Sequence, residues 1–501
     1  MGNNTEKTKE RKDSTYNHIV KYTGFFGLIQ VLTLLAAVVR NKLAAVLLGT
    51  TGVGLSALYQ SVTNFLHNST NLGIAFSSIK EISENYGKGN QQAVLHKVEV
   101  VRTWSLRTAI AGTLICMLFS PIISRLSFGD TSHTLPLCIL SPTVGFMTIT
   151  AGELSILKAV RKLKRLALTS VLSALGTLLL TVPFYYVFGI QGVVPSLVFS
   201  AFAVMVIYLR TTLPVFPWHV RLMNKENFRE GQSLIRVGVP YILAAIVNMG
   251  TTAAVAILIA RLGGLTHVGL YNMGYNLVFT YAGVVFAALD ADYFPRLAAV
   301  NSNIKETNFT VNRQIKVCIL IMSPFLILFM VAMPLVVRIL YSSAFLPMTR
   351  MAVLASLHLF FKAMTLPAAY LSLAKGDAKT YFIMELAYDA FTLLATFLGY
   401  WLWGITGTGI ALALAGIFDL VLIFSVYSKK YAFRAETSST SFILCQFICV
   451  LAALIIGLQE EVLLRMCSGI ALLAVSVFIS YRIIQTETSI FIEIKRILKR
   501  T

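Results

Sequence analysis

Long apolar runs follow one another along almost the whole of this 501-residue sequence. Hydrophobic residues make up 56% of the chain and charged residues only 13%, which is about half of the charged fraction of a typical soluble domain. A soluble protein of this size needs polar side chains to cover its surface, and this composition does not supply them. In a bilayer the chain must satisfy every backbone polar group internally, which favours helices. The sequence therefore predicts an all-α, polytopic membrane protein.

The charge of the connections predicts how the chain is threaded. A spanning helix needs about 20 apolar residues, and windows of that length give about fourteen candidate helices. Lys and Arg cluster in the N-terminal segment, in every second connection and in the C-terminal tail, whereas the other connections are mostly short turns such as 49–52 and 404–407. Cytoplasmic loops carry the excess of basic residues. We therefore expect both termini in the cytoplasm, with the polar segment 1–18 retained rather than cleaved.

An internal repeat is visible at one fixed offset of 215 residues. Two separate patches share this offset, and both lie in turns that contain glycine. Gly49, Thr51, Val53, Gly54 and Leu55 recur as Gly264, Thr266, Val268, Gly269 and Leu270, and Gly189, Ile190 and Gly192 recur as Gly404, Ile405 and Gly407. An even number of spans in each half keeps the two halves in the same orientation, related by an axis along the membrane normal. Two such pseudo-symmetric six-helix lobes around a central cavity suit a transporter that works by alternating access.

The repeat and the loop charges together predict the domain organisation. The predicted segments are a cytoplasmic N-terminal segment (1–18), an N-lobe (19–210), a cytoplasmic inter-lobe linker (211–236), a C-lobe (237–428), a cytoplasmic loop (429–441), two extra spanning helices (442–483) and a basic tail (484–501). The tail alternates Ile and Leu with Lys and Arg, a pattern that favours a short amphipathic helix on anionic lipid.

A few charged residues lie inside the apolar segments, where charge is costly and is usually functional. Lys362 lies near the bilayer centre, where we expect it either to face an aqueous cavity or to form a helix-helix ion pair. Asp389 and Asp419 are also near mid-depth and could pair with Lys362 or carry a coupling H⁺ or Na⁺. Glu153 and Glu385 lie nearer the cytoplasmic ends of their helices. That position favours plain interfacial carboxylates, with ion coupling as the alternative.

Several classes of function lack support in the sequence. The excess of 42 Lys+Arg over 22 Asp+Glu does not indicate nucleic-acid binding, because the charges lie in short clusters between apolar runs. There is no Gly-rich phosphate loop, nucleophile elbow or HExxH array, and the six cysteines have no companion ligands at zinc spacing. We expect no catalytic residue, no metal site and no cofactor.

Several short segments carry a resemblance to a known family. They are Asn41 to Gly49 followed by Gly52-Val53-Gly54-Leu55, Gly73-Ile74 leading to Lys80, Leu157-Lys158, Phe294-Pro295-Arg296-Leu297, and Leu371 to Lys375 running on to Glu385. Over roughly residues 17–430 the chain resembles the Wzx-type flippases for O-antigen and related polysaccharide repeat units, within the multidrug/oligosaccharidyl-lipid/polysaccharide (MOP) exporter superfamily. The last two helices look more like those of the fourteen-helix lipid II flippases.

The resemblance implies a transporter rather than an enzyme. It implies that an anionic, undecaprenyl-pyrophosphate-linked oligosaccharide crosses from the cytoplasmic to the periplasmic leaflet of the bacterial inner membrane, with ion antiport left open. Other polysaccharide-assembly membrane proteins are possible partners, besides the membrane lipids. The family's cationic cavity maps onto Lys42, Lys80, Lys362 and Lys375, and we add Arg40 because of its depth.

Two alternatives remain. A drug/cation antiporter of the same superfamily should have a cavity dominated by acids. A membrane glycosyltransferase or polymerase usually needs long extracytoplasmic loops, which this sequence lacks.

Overall fold

The computed structural model describes residues 2–160, 162–221, 225–290, 293–436 and 440–487. Within these ranges the protein is helical and has no strand, so the predicted all-α fold is confirmed. The first helices are α1 (Gly2–Thr70), α2 (Ile74–Gly87), α3 (Gln91–Leu118), α4 (Ser120–Phe128), α5 (Thr134–Ala159), α6 (Leu163–Phe188) and α7 (Val193–Thr212). They are followed by α8 (Lys225–Tyr275), α9 (Tyr281–Asp290), α10 (Tyr293–Val300), α11 (Ile304–Leu340), α12 (Thr349–Ala374), α13 (Ala378–Tyr431), α14 (Thr440–Gly457) and α15 (Val462–Glu487).

Many of these helices are long and apolar enough to cross a bilayer. In the described part of the chain nine helical stretches meet that criterion, or ten when the bent pair α3 and α4 is one span. Four of the stretches contain 39 to 54 residues, well beyond the roughly 20 needed for one crossing. The predicted count of fourteen requires each of these four to be two spans, and it stays a prediction.

The breaks inside the long helices repeat at the predicted offset. Gly49 has φ 64° and ψ −171°, and Gly264, 215 residues later, has φ 76° and ψ 177°. Gly189 has φ 55° and ψ −130°, and its equivalent Gly404 has φ 57° and ψ −141°. Because a positive φ of this kind favours glycine, the sequence repeat is a repeat of helix breaks.

A second kind of glycine constraint recurs at the same offset. A Cβ atom on Gly192 would lie 2.2 Å from the carbonyl oxygen of Phe184, and one on Gly407 would lie 1.8 Å from that of Gly399. Neither distance can accommodate a side chain. At the breaks at Gly189 and Gly404, the following helix is therefore packed backbone to backbone against the preceding one.

The chain divides into two compact units. Unit 1 contains Met1–Gly52 and Tyr59–Ile246, and unit 2 contains Val53–Leu58 and Val247–Thr501. This division does not follow the predicted lobes, because unit 1 runs on through 211–246 and a short piece of α1 joins unit 2. The lobe boundaries at 210 and 237 stay a prediction.

Unit 1 is built around α5, against which α2, α3, α4, α6 and α7 pack. Buried aliphatic side chains of α2, α3 and α5 form a core at one end, joined by Trp104 and Phe216. The predicted linker is part of this unit rather than a free connection. The Trp104 indole donates to the Asn227 carbonyl at 2.9 Å and stacks on Phe228 with ring centroids 5.3 Å apart, and Gly231 leaves room for the indole.

Charged groups fasten the same linker to α3. The Glu230 carboxylate accepts from Nε2 of His96 and from Nζ of Lys97, each at 3.0 Å. Partial burial by itself raises the pKa of Glu230, but the hydrogen bonds from His96 and Lys97 outweigh it, and the pKa lies below its usual value. The start of α8 is thus held to unit 1 by both packing and charge.

Unit 2 is centred on α12, which packs on α11, α13 and α14. Helices α14 and α15 pack on α11 and on each other, where Gln446 hydrogen-bonds Ser476 and Ser480. At another point of this unit a Cβ on Gly54 would lie 1.8 Å from the Leu265 carbonyl oxygen. The Val53–Leu58 segment therefore makes backbone contact with α8 just beyond its break.

Candidate functional site

Unit 2 contains a cavity of ≈ 240 Å³ lined by α8, α12 and α13. Its polar lining includes Asn248, Lys362, Thr365, Glu385 and Asp419, and its aromatic lining includes Tyr275, Phe279, Tyr381, Tyr388 and Tyr427. These helices are among the apolar, span-length stretches of the chain. Charged side chains inside membrane-spanning helices are costly and usually have a function. This cavity is therefore the candidate functional site.

The shape of α13 brings its two arms to one cavity. Glu385 precedes the break at Trp403 and Gly404, and Asp419 follows it. In a straight helix these two carboxylates would be about 50 Å apart, yet both line the cavity. The helix therefore reverses at the break, and the glycine repeat found in the sequence creates the site.

Lys362 lies in the cavity wall and is half-buried. It interacts electrostatically with Glu385 and with Asp419. Its Nζ lies 5.9 Å from the centroid of the Phe286 ring, over its face. Lys362 therefore lines a cavity and faces carboxylates of another helix, and its role as a cavity cation or as an ion-pair partner stays a prediction.

The two carboxylates have separate hydroxyl partners. Tyr381, one helical turn before Glu385, donates to it from the same helix, and Thr365 of α12 donates to Asp419 from the neighbouring helix. Hydroxyl donors fix the orientation of a carboxylate without neutralising it. Lys362 is thus the one cation among the described cavity-lining residues that faces the charges of Glu385 and Asp419.

Asp389 lies just behind the cavity wall, one helical turn after Glu385. It is 2% exposed. Its Oδ1 accepts from Asn248 at 3.3 Å, and its Oδ2, also buried, has no hydrogen-bond partner among the described residues. A buried carboxylate oxygen left in this state is costly as an anion, which makes Asp389 a candidate for binding a proton or a cation.

Aromatic rings form the rest of the wall. Tyr275 stacks on Phe279 with centroids 4.6 Å apart, and Phe279 meets the edge of His358 at 5.1 Å. Nδ1 of His358 lies 2.9 Å from the Leu412 carbonyl oxygen, and since a carbonyl only accepts, Nδ1 is the donor. This hydrogen bond fixes the imidazole ring and directs its Nδ1 proton toward Leu412, which does not line the cavity.

The five predicted cavity cations do not assemble around this cavity. Lys362 lines it, whereas Lys375 ends α12, is exposed and donates to the Asn301 carbonyl at 2.9 Å. Arg40 and Lys42 are half-buried on α1, in unit 1. The backbone of Lys80 lies in α2, and its side chain is outside the described part of the structure.

Of the four predicted acids, Glu153 lies in unit 1 and already has a partner. Arg102 binds it through two parallel contacts, Nε to Oε1 at 2.7 Å and Nη2 to Oε2 at 3.0 Å. The remaining Arg102 nitrogen donates to the carbonyls of Phe216 and Pro217 at 2.9 and 2.8 Å. Both side chains are 2% exposed. Although Arg102 lies in one of the basic connections of the sequence, the structure buries it as the counter-ion of Glu153.

A third ionic cluster links the two ends of α13. Asp377 precedes the helix and accepts from Lys430 at 2.6 Å and from the Tyr431 hydroxyl at 2.9 Å, both at the far end of the same helix. It also caps the helix by accepting from the Thr380 amide at 3.0 Å. Lys430 and these donors hold the pKa of Asp377 well below its usual value. This cluster fixes the two arms of α13 to each other.

Comparison with known proteins identifies the family. A family model described as polysaccharide biosynthesis protein matches residues 19–301, more than half of the sequence, and the chain belongs to this family. A comparison with curated protein sequences gave no match.

Solved structures share the fold. The chain is similar to the lipid II flippase MurJ in an inward closed conformation, with a TM-score of 0.70 and 15% identity over 91% of this chain and 98% of that one. It is also similar to an inward-facing multidrug resistance MATE transporter of the MOP superfamily, with a TM-score of 0.63 and 14% identity over 81% and 96% of the two chains. The family match confirms the predicted resemblance to polysaccharide biosynthesis proteins, and the two structures confirm the predicted fold.

Proposed function

We propose that the protein is a flippase that moves an undecaprenyl-pyrophosphate-linked oligosaccharide, an O-antigen or capsular repeat unit, from the cytoplasmic to the periplasmic leaflet of the bacterial inner membrane. The family match and the fold support a transporter of lipid-linked saccharides. The observation that carries the mechanism is the charged cavity among apolar helices, in which Lys362, Glu385 and Asp419 converge.

The cavity acids supply the coupling in this proposal. Glu385 and Asp419 face the cavity, and Asp389 has a buried oxygen without a partner among the described residues. Carboxylates in such a position bind and release H⁺ or Na⁺ as access to them changes. The exchanged ion drives alternating access, and the oligosaccharide moves in the opposite half-cycle.

The cargo's pyrophosphate needs cations, and unit 2 is the less suitable unit to supply them. Two acids and one lysine line its cavity, so that a dianion entering there meets net negative charge. We therefore assign the pyrophosphate to the predicted cations of unit 1, namely Lys80 together with either Arg40 or Lys42, because residues two apart on a helix point about 200° away from each other. Arginine in particular binds phosphate through paired hydrogen bonds.

The acid-rich cavity also supports the alternative of a drug/cation antiporter, for which a cavity dominated by acids is expected. The two functions differ in phenotype. Deletion of an antiporter gene raises sensitivity to cationic drugs and leaves the glycan lipids unchanged, whereas deletion of a flippase gene alters the glycan lipids.

The decisive experiment locates the lipid-linked intermediates by leaflet. In a strain that lacks the gene, undecaprenyl-linked oligosaccharide should accumulate on the cytoplasmic side of the inner membrane, where a membrane-impermeant periplasmic ligase or lectin does not reach it. Normal translocation with altered polymer length would instead indicate a polymerase and exclude the flippase.

Complementation of that strain tests the cavity. Lys362→Ala should abolish complementation while the protein is still present in the membrane, because the two carboxylates facing it lose their counter-ion. The matched control is Lys305→Ala, which removes an exposed lysine from the first turn of α11 and should complement fully. Full activity of the Lys362 variant would show that this cavity is not used in transport.

A further inference from the structure

The charges that face Lys362 come from two arms of one helix, and they do not balance. Glu385 and Asp419 both interact with it, and Asp389 interacts in turn with Glu385. One ammonium group therefore serves three carboxylates in a site with a low dielectric constant. With Glu385 and Asp419 both ionised, the lined cavity carries a net charge of −1.

The ligands around this lysine are those that a hard metal cation prefers. Carboxylate oxygens of Glu385 and Asp419, the Thr365 hydroxyl and the Asn248 amide all face the cavity, and oxygen ligands of these kinds bind alkali and alkaline-earth ions. The cavity volume of ≈ 240 Å³ also holds several waters at about 30 Å³ each. Ligand type and space would both suit a hydrated Na⁺.

The Lys362 ammonium, with the same charge as Na⁺, lines the same cavity and interacts with the same two carboxylates. A metal ion bound between Glu385 and Asp419 would bring a second unit cation next to this one, and like charges repel strongly where the dielectric constant is low. A proton meets no such obstacle, because it forms an O–H bond with one carboxylate and needs no shell of ligands.

We propose that Lys362 is a tethered cation that occupies the metal position between Glu385 and Asp419, so that the site binds no Na⁺ and exchanges a proton. The inference rests on the ion coupling proposed above and determines which ion is used. On proton uptake one of the two carboxylates becomes a carboxylic acid, and Lys362 then neutralises the other. Among the described residues, the other titratable groups that line the cavity with the lysine are His358 on α12, Tyr275 on α8, and Tyr381, Tyr388 and Tyr427 on α13.

The test is Na⁺ binding to the purified, full-length protein in detergent. NaCl replaces choline chloride at constant ionic strength, while ²²Na⁺ binding and the apparent unfolding temperature are measured. The wild type should bind no ²²Na⁺ and show no shift. Lys362→Met, which keeps the apolar stem and removes the charge, should bind Na⁺ and unfold about 3 °C or more higher in about 100 mM Na⁺.

Three further variants keep the result interpretable. Lys362→Arg keeps the charge and should remain insensitive to Na⁺. The double variant Lys362→Met with Glu385→Gln removes one carboxylate and should lose the gained binding. Lys362→Gln carries the same expectation as Lys362→Met and replaces it if the methionine variant does not fold.

Two results would overturn the inference. One is Na⁺ binding by the wild type as tight as that of Lys362→Met, and the other is a folded Lys362→Met or Lys362→Gln protein that binds none. Neither result bears on flipping, which the leaflet experiment measures separately. A flippase that fails this test remains a flippase, and a protein that passes it without moving the lipid has the ion site but not the proposed cargo.

Discussion

The Arg102–Glu153 pair of unit 1 and the Lys362 cluster of unit 2 both place opposite charges among apolar helices. In unit 1 one arginine meets one carboxylate through two parallel hydrogen bonds, and backbone carbonyls take further donors of the guanidinium. In unit 2 one lysine faces two carboxylates across a cavity of ≈ 240 Å³. The first pair is almost completely buried, whereas the second cluster borders a cavity.

This difference indicates that the Arg102–Glu153 pair is the structural one of the two. Buried ion pairs are maintained when good geometry and further hydrogen bonds offset their desolvation, and the unit 1 pair has both. Arg102 also holds the carbonyls of Phe216 and Pro217, so that it fixes the start of the linker to α3. The unit 2 cluster instead borders a cavity of ≈ 240 Å³, which has room for several water molecules.

The largest expected effect comes from breaking the unit 1 pair on one side only. Arg102→Met leaves Glu153 buried without a counter-ion, which should lower the stability of the folded protein by about 3–5 kcal/mol. Thermal or denaturant unfolding of the purified protein measures it. The double variant Arg102→Met with Glu153→Leu should recover much of the loss, because removing both charges leaves no uncompensated ion.

The corresponding cation-to-methionine change in unit 2 should behave differently. Lys362→Met should lower stability by less than about 1 kcal/mol, because water in the cavity still solvates the carboxylates. Equal losses for Arg102→Met and Lys362→Met would contradict the distinction between a packed pair and a hydrated cluster.

At Asp389 we expect an effect on the transport rate rather than on stability. Asp389→Asn keeps the shape and the contact with Asn248 but removes the group that can take up a proton. We expect transport to fall roughly tenfold, equivalent to about 1.4 kcal/mol, with unchanged stability. The rate of oligosaccharide translocation in membrane vesicles at several pH values is the measurement. A variant as fast as the wild type would place the coupling on Glu385 and Asp419 alone.

The smallest effect belongs to the exposed ionic cluster at the ends of α13. The pKa of Asp377 is lowered by Lys430 and by its other donors, so that its contribution is present above the unfolded-state pKa of about 3.9. That contribution is lost as the pH falls from there through the lower folded-state pKa. Asp377→Asn should therefore destabilise by about 0.2–1 kcal/mol at pH 7, and the difference from the wild type should shrink below about pH 4. A difference that is constant with pH would mean that the carboxylate's charge is not what stabilises these helix ends.

The sequence predicts the fold well because the fold depends on local signals. Apolar run length gives the spanning helices, and the 215-residue offset predicts that Gly49 and Gly189 have equivalents at Gly264 and Gly404 with the same backbone conformation. Each of these signals lies in a few neighbouring residues. A spacing signal also exists for the cavity, since Tyr381, Glu385 and Tyr388 lie on one face of α13.

The partners of the buried charges depend on contacts between distant residues, and the sequence does not specify them. Arg102 and Glu153 are 51 residues apart, and the carbonyls that Arg102 also binds are 114 and 115 residues from it. Depth in a helix identifies Lys362 and Asp419 as candidates but does not show that acids outnumber cations around them. Similarly, loop charge alone makes Arg102 a cytoplasmic residue and gives no sign that it is buried.

The six residues Val53–Leu58 belong to unit 2, although in the sequence they lie between the two segments of unit 1 and are synthesised with them. The backbone of Leu265, against which Gly54 packs, is synthesised more than 200 residues later, or roughly 10–40 s at 5–20 residues per second. During that interval Gly54 of α1 lacks the α8 backbone against which it packs in the complete protein. Unit 2 therefore cannot be completed from its own contiguous sequence, and a fragment that begins at Val247 would lack a part of the unit that only the first half of the gene encodes.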